Sequence, residues 1–227
     1  MPEEISTARK KVFLVDDHPM VREHLAQLIA QQPDLEICGE AVDLPQALEG
    51  IEATEPDLAI VDISLRASSG LDLVKEIRAR DWTLPVLVLS MHEETLYAER
   101  ALRAGALGYV SKQESSKNIL CAIRRVMDHQ TYVSAEVSNR FIKRAVGASA
   151  RNEVLPLSSL GDRELEVFQL IGRGMGTKQI SETLGIGVKT VETYRARIKE
   201  KLHLEDGVQL LRQAIRWVED YDSGHPK

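Results

Sequence analysis

The chain is poor in cysteine and has no long apolar run, and each shortage closes off a class of protein. Only Cys38 and Cys121 occur in 227 residues, set in apolar stretches with no Cys-x-x-Cys or Cys/His cluster, so neither a disulfide framework nor a zinc site is signalled. Both are expected to be buried thiols. Runs such as Val86 to Leu89 and Leu25 to Ala30 fall far short of the roughly 18 apolar residues that span a bilayer, and no transmembrane helix is expected. The start, Met-Pro-Glu-Glu-Ile-Ser, places acids first and lysines just before a short apolar run, the wrong order for a secretory signal. A cytoplasmic protein without a membrane partner is the expectation.

What is present is a globular composition: 43% of residues are hydrophobic and 28% charged, which excludes a disordered or collagen-like chain. At about 100–200 residues per domain the length fits one or two domains. The net charge of −6 is unevenly spread. Residues 1–154 carry 18 Lys and Arg against 24 Asp and Glu, whereas residues 155–217 carry 10 against 8. An acidic front and a basic rear suggest two domains with different partners, and Lys189 to Lys201 alone holds five cations against Glu192 and Glu200.

Short runs rich in Val, Ile and Leu recur from Lys11: Val12 to Val15, Leu35 to Ala41, Leu58 to Val61, Leu84 to Leu89 and Leu107 to Val110. They read as five strands. Between and after them, Pro19 to Gln31, Pro45 to Ala53, Gly70 to Arg80, Glu93 to Ala104 and Glu114 to Asp128 place apolar residues three and four apart, as amphipathic helices do. Strict alternation of strand and helix predicts an α/β, doubly wound parallel sheet with helices on both faces. Ser134 to Val146 reads as one more helix, followed by a small polar linker at 147–152. Four close helical patterns then follow, at Asp162 to Ile171, Thr177 to Leu184, Val188 to Leu202 and Asp206 to Val218. The second and third, joined through Gly185 and Gly187, have the pattern of a helix-turn-helix.

In a doubly wound sheet, ligands gather beyond the carboxyl ends of the strands where strand order reverses. The first strand ends in Asp16-Asp17, the third in Asp62, the fourth in Ser90 and the fifth just before Lys112. Three carboxylates brought together repel one another unless a cation sits among them, and a hard divalent ion with oxygen ligands, most simply magnesium, resolves the conflict. Lys112 and the Ser90 hydroxyl would suit the oxygens of a phosphoryl group. Any one acid after a strand is as readily a turn former or cap, but chance seldom places five such residues at separate strand exits.

These residues resemble the receiver domain of two-component response regulators over about residues 10–130. Asp16-Asp17, Asp62, Ser90 and Lys112 match its signature positions in order, and Ala104 to Lys112 matches its fifth-strand motif. The resemblance implies a flavodoxin-like sheet and Asp62 as the phosphoacceptor for a sensor histidine kinase. It implies magnesium bound by Asp17, Asp62 and the main-chain carbonyl of Ser64, with Asp16 acting mainly through water. It also implies Tyr109 as an aromatic switch working with Ser90; the alternative for Tyr109 is a core aromatic. Three positions depart from common family usage: Leu65-Arg66 after the phosphoacceptor, Gln113 after Lys112, and a bulky Met91 after Ser90.

Residues 158–217 resemble the LuxR-type helix-turn-helix of the NarL/FixJ class, through Leu160, Arg163-Glu164, Glu166-Val167, Gly174, Lys178, Ile180, Leu184, Thr190-Val191 and Lys201-Leu202. Ile180, Leu184, Ile186, Val191, Ile198 and Leu202 are expected to bury one face. Lys178, Lys189, Thr190, Glu192, Thr193, Arg195, Ala196 and Lys199 would then meet double-stranded promoter DNA, cations on phosphates and short side chains near bases. An ordinary solvated helix face is the alternative. Gly161, Gly176 and Gly187 stand where the family caps helices with Ser or Thr, a small loss, since Gly is an acceptable cap. The apolar residues of the last helix, among them Val208, Leu211 and Trp217, suggest a two-fold interface of a homodimer, or else core.

The expected arrangement is a receiver domain at 10–130, a linker with one helix at 131–157 and a DNA-binding domain at 158–220. It reads as a phosphorylation-gated transcription regulator rather than an enzyme. A phosphohydrolase built on an Asp62 nucleophile would want a second acid two residues on, where this chain has Ser64. A regulator that binds DNA without phosphorylation is the nearer alternative.

Overall fold

The structure is a computed structural model that describes residues 9–65, 68–91, 94–145 and 156–222. By their packing these residues form two compact units divided near residue 148. The expected polar linker at 147–152, and Arg66, lie outside the described residues.

The first unit runs β1 (Lys10–Val15), α1 (Pro19–Ala30), β2 (Leu35–Ala41), α2 (Leu44–Thr54), β3 (Leu58–Val61), β4 (Ser64–Leu65), β5 (Ser68–Ser69), α3 (Gly70–Ala79), β6 (Val86–Ser90), α4 (Glu94–Ala104), β7 (Gly108–Ser111), α5 (Ser116–Met127) and α6 (Ala135–Ala145). The five long strands form one sheet in the order β2-β1-β3-β6-β7, every neighbouring pair parallel. Side chains alternate across the sheet. Val12 and Leu14, Leu58 and Ile60, Leu87 and Leu89 join Leu25 and Ile29 of α1 and Ile119, Ile123 and Val126 of α5 in one buried cluster. The alternate residues Phe13, Val15, Ala59, Val61 and Val88 are also buried, and right-handed crossovers put α2, α3 and α4 on their side. Strand order reverses between β1 and β3, so the exits of those two strands flank a crevice.

Two features were not anticipated. The first is the short antiparallel pair β4–β5, with Ser64 opposite Ser69 and Leu65 opposite Ser68, where Leu65 is buried. The second is an edge added to β7. Tyr132 forms a parallel bridge with Gly108, its N–H donating to Leu107 O at 3.0 Å and its carbonyl accepting from Tyr109 N–H at 2.8 Å. This segment covers an edge that would otherwise leave backbone groups unpaired. The helix α6 that follows packs on α4 and so belongs with the first unit.

The expectation of two buried thiols is corrected: Cys38 is half-buried and Cys121 exposed. The register between β1 and β2 slips after Val12, pairing Val12 with Ile37 but Phe13 with Gly39. Cys38 is thereby left out of the ladder, its thiol near Val12 O at 3.5 Å. On α5 the inner face is Ile119, Ala122, Ile123 and Val126, and Cys121, about 200° around from Ile119, turns outward.

The second unit comprises a single 3₁₀ turn (Pro156–Ser159), α7 (Asp162–Gly172), α8 (Thr177–Leu184), α9 (Val188–Lys201) and α10 (Gly207–Asp222). α7 is the central helix, buried from Arg163 to Ile171, and it packs against both α9 and α10. Lys201 at the end of α9 reaches Glu164 at the start of α7 (2.6 Å). Of the expected apolar face, Ile180, Leu184, Val191, Ile198 and Leu202 are buried, while Ile186 is half-buried because it lies in the turn between helices. Gly161, Gly176 and Gly187 are the N-caps of α7, α8 and α9. For the first two, Glu164 and Gln179 return their side chains to the cap N–H at 2.7 and 2.9 Å, which is half of a capping box.

Candidate functional site

The carboxyl ends of the parallel strands bring five of the expected residues together. Backbone pairing extends past β1 and β3, with Asp16 N–H donating to Ala41 O and Asp62 N–H to Val15 O, which fixes both acids at the crevice floor. Lys112, one residue beyond β7, donates its N–H to Ser90 O at 2.9 Å. Its ammonium lies 2.6 Å from Asp16 Oδ2 and 2.8 Å from Asp62 Oδ2, with all three side chains no more than 6% exposed. Burial alone would lower the Lys112 pKa, but the charges of Asp62 and Asp16 and their hydrogen bonds outweigh it and hold the group above the ordinary 10.5.

Asp17 completes an acidic cluster in which ligand atoms of Asp16, Asp17, His18 and Asp62 all lie within 4.8 Å of one another. Asp17 Oδ1 is withdrawn from solvent and accepts no hydrogen bond. His18 Nδ1 lies 2.7 Å away, a contact without the alignment of a hydrogen bond. An orphaned carboxylate oxygen beside two further carboxylates is the donor set that a hard divalent cation takes, so these residues fit magnesium. Ser64 stands two residues past Asp62, at the start of β4.

Three further residues shape the site and were not read from sequence. His18 touches Asp17 and, through its N–H, donates to Asp16 Oδ1 (2.8 Å). Arg22 donates to Asp16 O (2.6 Å) and to Glu40 (3.1 Å), clamping the first strand exit. Gly70 opens α3 hard against Asp62: a Cβ there would stand 2.8 Å from the Asp62 carbonyl carbon and nearer still to its oxygen. The signal for His18 was its place beside the acid pair; Gly70 carries no local signal.

Ser90 and Tyr109 lie on neighbouring strands, with Val88 opposite Tyr109 and Ser90 opposite Ser111, and both are fully buried. Met91, immediately after Ser90, is 60% exposed.

In the second unit, α8, the turn through Gly185 (φ 61°) and α9 form a helix-turn-helix. Lys178, Lys189, Thr190, Glu192, Thr193 and Ala196 are exposed, and Arg195 and Lys199 are partly so. Thr193 donates its hydroxyl to Lys189 O (3.0 Å), which leaves its methyl and its oxygen lone pairs toward solvent. On α10, Leu210 and Ala214 are buried, Trp217 packs on Phe168 with ring centroids 6.0 Å apart, and Val208 and Leu211 stay exposed. No helix among the described residues is long and apolar enough to cross a membrane.

Comparison with known proteins agrees with both halves. The family described as response regulator receiver domain matches residues 12–124, and that described as bacterial regulatory proteins, luxR family, matches residues 158–214. The oxygen regulatory protein NreC of Staphylococcus epidermidis is 31% identical over 211 residues, covering 91% of this chain and 97% of its own. The Staphylococcus aureus protein of that name is 32% identical over 210 residues, with the same coverage. Among solved structures, a LuxR-family two-component response regulator from Aurantimonas matches 61% of this chain and 99% of its own, with 29% identity and a TM-score of 0.57. RcsB of Salmonella enterica, solved on promoter DNA with a phosphomimetic, shares the fold at 22% identity over 90% of this chain and 97% of its own, with a TM-score of 0.58. With a receiver fold carrying the acidic crevice and a LuxR-type helix-turn-helix behind it, this chain belongs to the NarL/FixJ class of response regulators, phosphorylation-regulated DNA-binding regulators of transcription.

Proposed function

We propose that Asp62 takes a phosphoryl group from a sensor histidine kinase, and that this gates binding of the second domain, as a homodimer, to double-stranded promoter DNA. The observation that carries the reading is Lys112, buried between the Asp16 and Asp62 carboxylates. Attack of an Asp62 oxygen on phosphorus expels the imidazole nitrogen of the donor and spreads charge over three equatorial oxygens. The Lys112 ammonium and the Ser90 hydroxyl supply donors at that place. Asp16, Asp17, Asp62 and the Ser64 carbonyl are the groups to hold magnesium, which when bound neutralises charge on the transferred group. A phosphohydrolase reading lacks its acid, since Ser64 stands there, and the chain is read as a regulator, not an enzyme.

Ser90 and Tyr109 are the switch: phosphate shifts a two-state equilibrium through contacts that differ between the states. In the second domain a helix about 10–12 Å across fits the major groove. Lys178, Lys189, Arg195 and Lys199 take phosphates, Thr193 and Ala196 approach bases, and Thr190 and Glu192 line the same exposed surface. Residues 155–217 carry a net of only +2, so one copy binds weakly. The exposed Val208 and Leu211 of α10 are the surface through which two copies pair. A phosphohistidine donor and chromosomal DNA place this activity in the cytoplasm.

The test is mass spectrometry after incubation with acetyl phosphate and magnesium, with DNA binding measured on the same sample. The parent should gain one phosphoryl group and Asp62→Asn none. Labelling of that variant, or labelling that persists in chelator, overturns the pocket assignment. DNA binding that ignores the label returns the alternative, a regulator independent of phosphorylation.

A further inference from the structure

The helix α6 begins with an incomplete cap. Ser134 is its N-cap, the hydroxyl accepting from Val137 N–H at 3.2 Å. A capping box would return a Glu or Gln side chain from the third helical position to the cap's own N–H. That position is Val137, which is buried and has no acceptor. The acceptor comes instead from another helix: Glu94 Oε1, in the first turn of α4, takes the Ser134 N–H at 2.7 Å. A carboxylate there also faces the positive end of the α6 dipole.

Two residues earlier the same segment is held by a different element. Tyr132 exchanges hydrogen bonds with β7, accepting from Tyr109 N–H and donating to Leu107 O. Gly108 makes room for it, since a Cβ there would stand 3.2 Å from Tyr132 O and 2.7 Å from Val126 Cγ2. Residues 132–134 thus straddle the switch strand and α4, whose first residue lies four positions beyond Ser90. A strap anchored to two bodies cannot keep both anchors when one body slides against the other. We propose that Glu94 is the positioning residue that completes the α6 cap from α4 and thereby ties the linker, and the DNA-binding domain beyond it in the chain, to the movement of the switch.

The DNA arm of the test rests on Asp62 phosphorylation as read above; the exchange arm does not. Hydrogen exchange is measured on full-length unphosphorylated parent, Glu94→Ala and Glu94→Gln. An N-cap interaction is worth about fivefold in a local equilibrium. Amides 134–138 should therefore exchange about fivefold faster in Glu94→Ala, while Glu94→Gln, which keeps the oxygen acceptor, should stay near the parent. Affinity for a site selected from random duplex DNA with the parent protein is then measured with and without acetyl phosphate. Glu94→Ala should label Asp62 at the parent's rate, yet its ratio of the two affinities should fall about fivefold, with recovery in Glu94→Gln. Unchanged exchange removes the cap, and faster exchange with an unchanged affinity ratio overturns the tie to the switch. A parent that takes no label at Asp62 sinks the preceding reading while the exchange data still decide the cap.

Discussion

Replacing Gly70 by Ala tests how closely Asp62, the proposed phosphoacceptor, is held. The new methyl would stand 2.9 Å from Val61 Cγ1 and 2.8 Å from the Asp62 carbonyl carbon, nearer still to the carbonyl oxygen, against ordinary contact at 3.4 Å. None of these atoms can swing aside: two are backbone, and Val61 is fully buried in the sheet. Nor can α3 simply retreat, because Gly70 N–H donates to Ile63 O at 2.7 Å. Relief therefore moves Asp62 itself, and overpacking of this kind costs about 1–3 kcal/mol. In a unit of this size that lowers Tm by roughly 3–10 °C. A displacement of about 1 Å at a reacting group costs on the order of 100-fold in rate, so labelling of Asp62 by acetyl phosphate should slow by about that factor. Ser69→Ala is the control. It removes the α3 cap that Ser69 Oγ makes with Leu71 N–H (3.2 Å) at about 1 kcal/mol, but adds no atom against Asp62, so it should lower Tm and label normally. Gly70→Ala labelling at the parent's rate, or both variants slowing alike, would refute the argument that this contact sets the position of the acceptor.

Ser90→Ala should still accept phosphate but respond weakly in DNA binding; a normal response would remove Ser90 from the switch. Lys199→Ala should weaken binding to all duplex sequences alike and reduce the slope of log affinity against log salt by about 1, whereas Thr193→Ala should change which bases are preferred in a selection from random sites. The acid limb of stability offers a separate check. Asp57 is partly buried, which alone would raise its pKa, but hydrogen bonds from Lys10 and the Lys11 N–H, with the Lys10 charge, hold it below the ordinary 3.8. A depressed carboxyl stabilises the fold above its unfolded value and loses that contribution as pH falls through its folded value. Asp57→Asn should thus be less stable than the parent at pH 5–7, and the two denaturation curves should converge as pH drops below 3.8. A gap that persists in strong acid would refute the assignment.

The alternation of short apolar runs with amphipathic stretches was enough to read a parallel doubly wound sheet, because a strand such as Leu58 to Val61, buried on both faces, needs apolar residues at every position. The positions of Asp16, Asp17, Asp62, Ser90 and Lys112 were legible for a related reason: each stands at or just past the carboxyl end of a strand, and the fold gathers those ends on one side. The helix-turn-helix was legible as a run of positions with glycines at its joints. Local pattern decides these things, since periodicity and chain punctuation are properties of neighbours in sequence.

Contacts between residues far apart in sequence, and the way each side chain turns, were not legible. Cys121 looked buried by its apolar company, but its angle on α5 points it outward. Cys38 left the ladder through a register slip that composition does not announce. The ion pairs that place Lys112 between two acids, the fit of Gly70 against the Asp62 carbonyl and the reach of Glu94 to Ser134 join residues that are 8 to 96 positions apart. A hydrogen bond or a steric contact depends on distances of a few tenths of an ångström. Only the packed sheet and its helices set those distances, so the residues of the crevice were written in the chain while their spacing was decided by the fold.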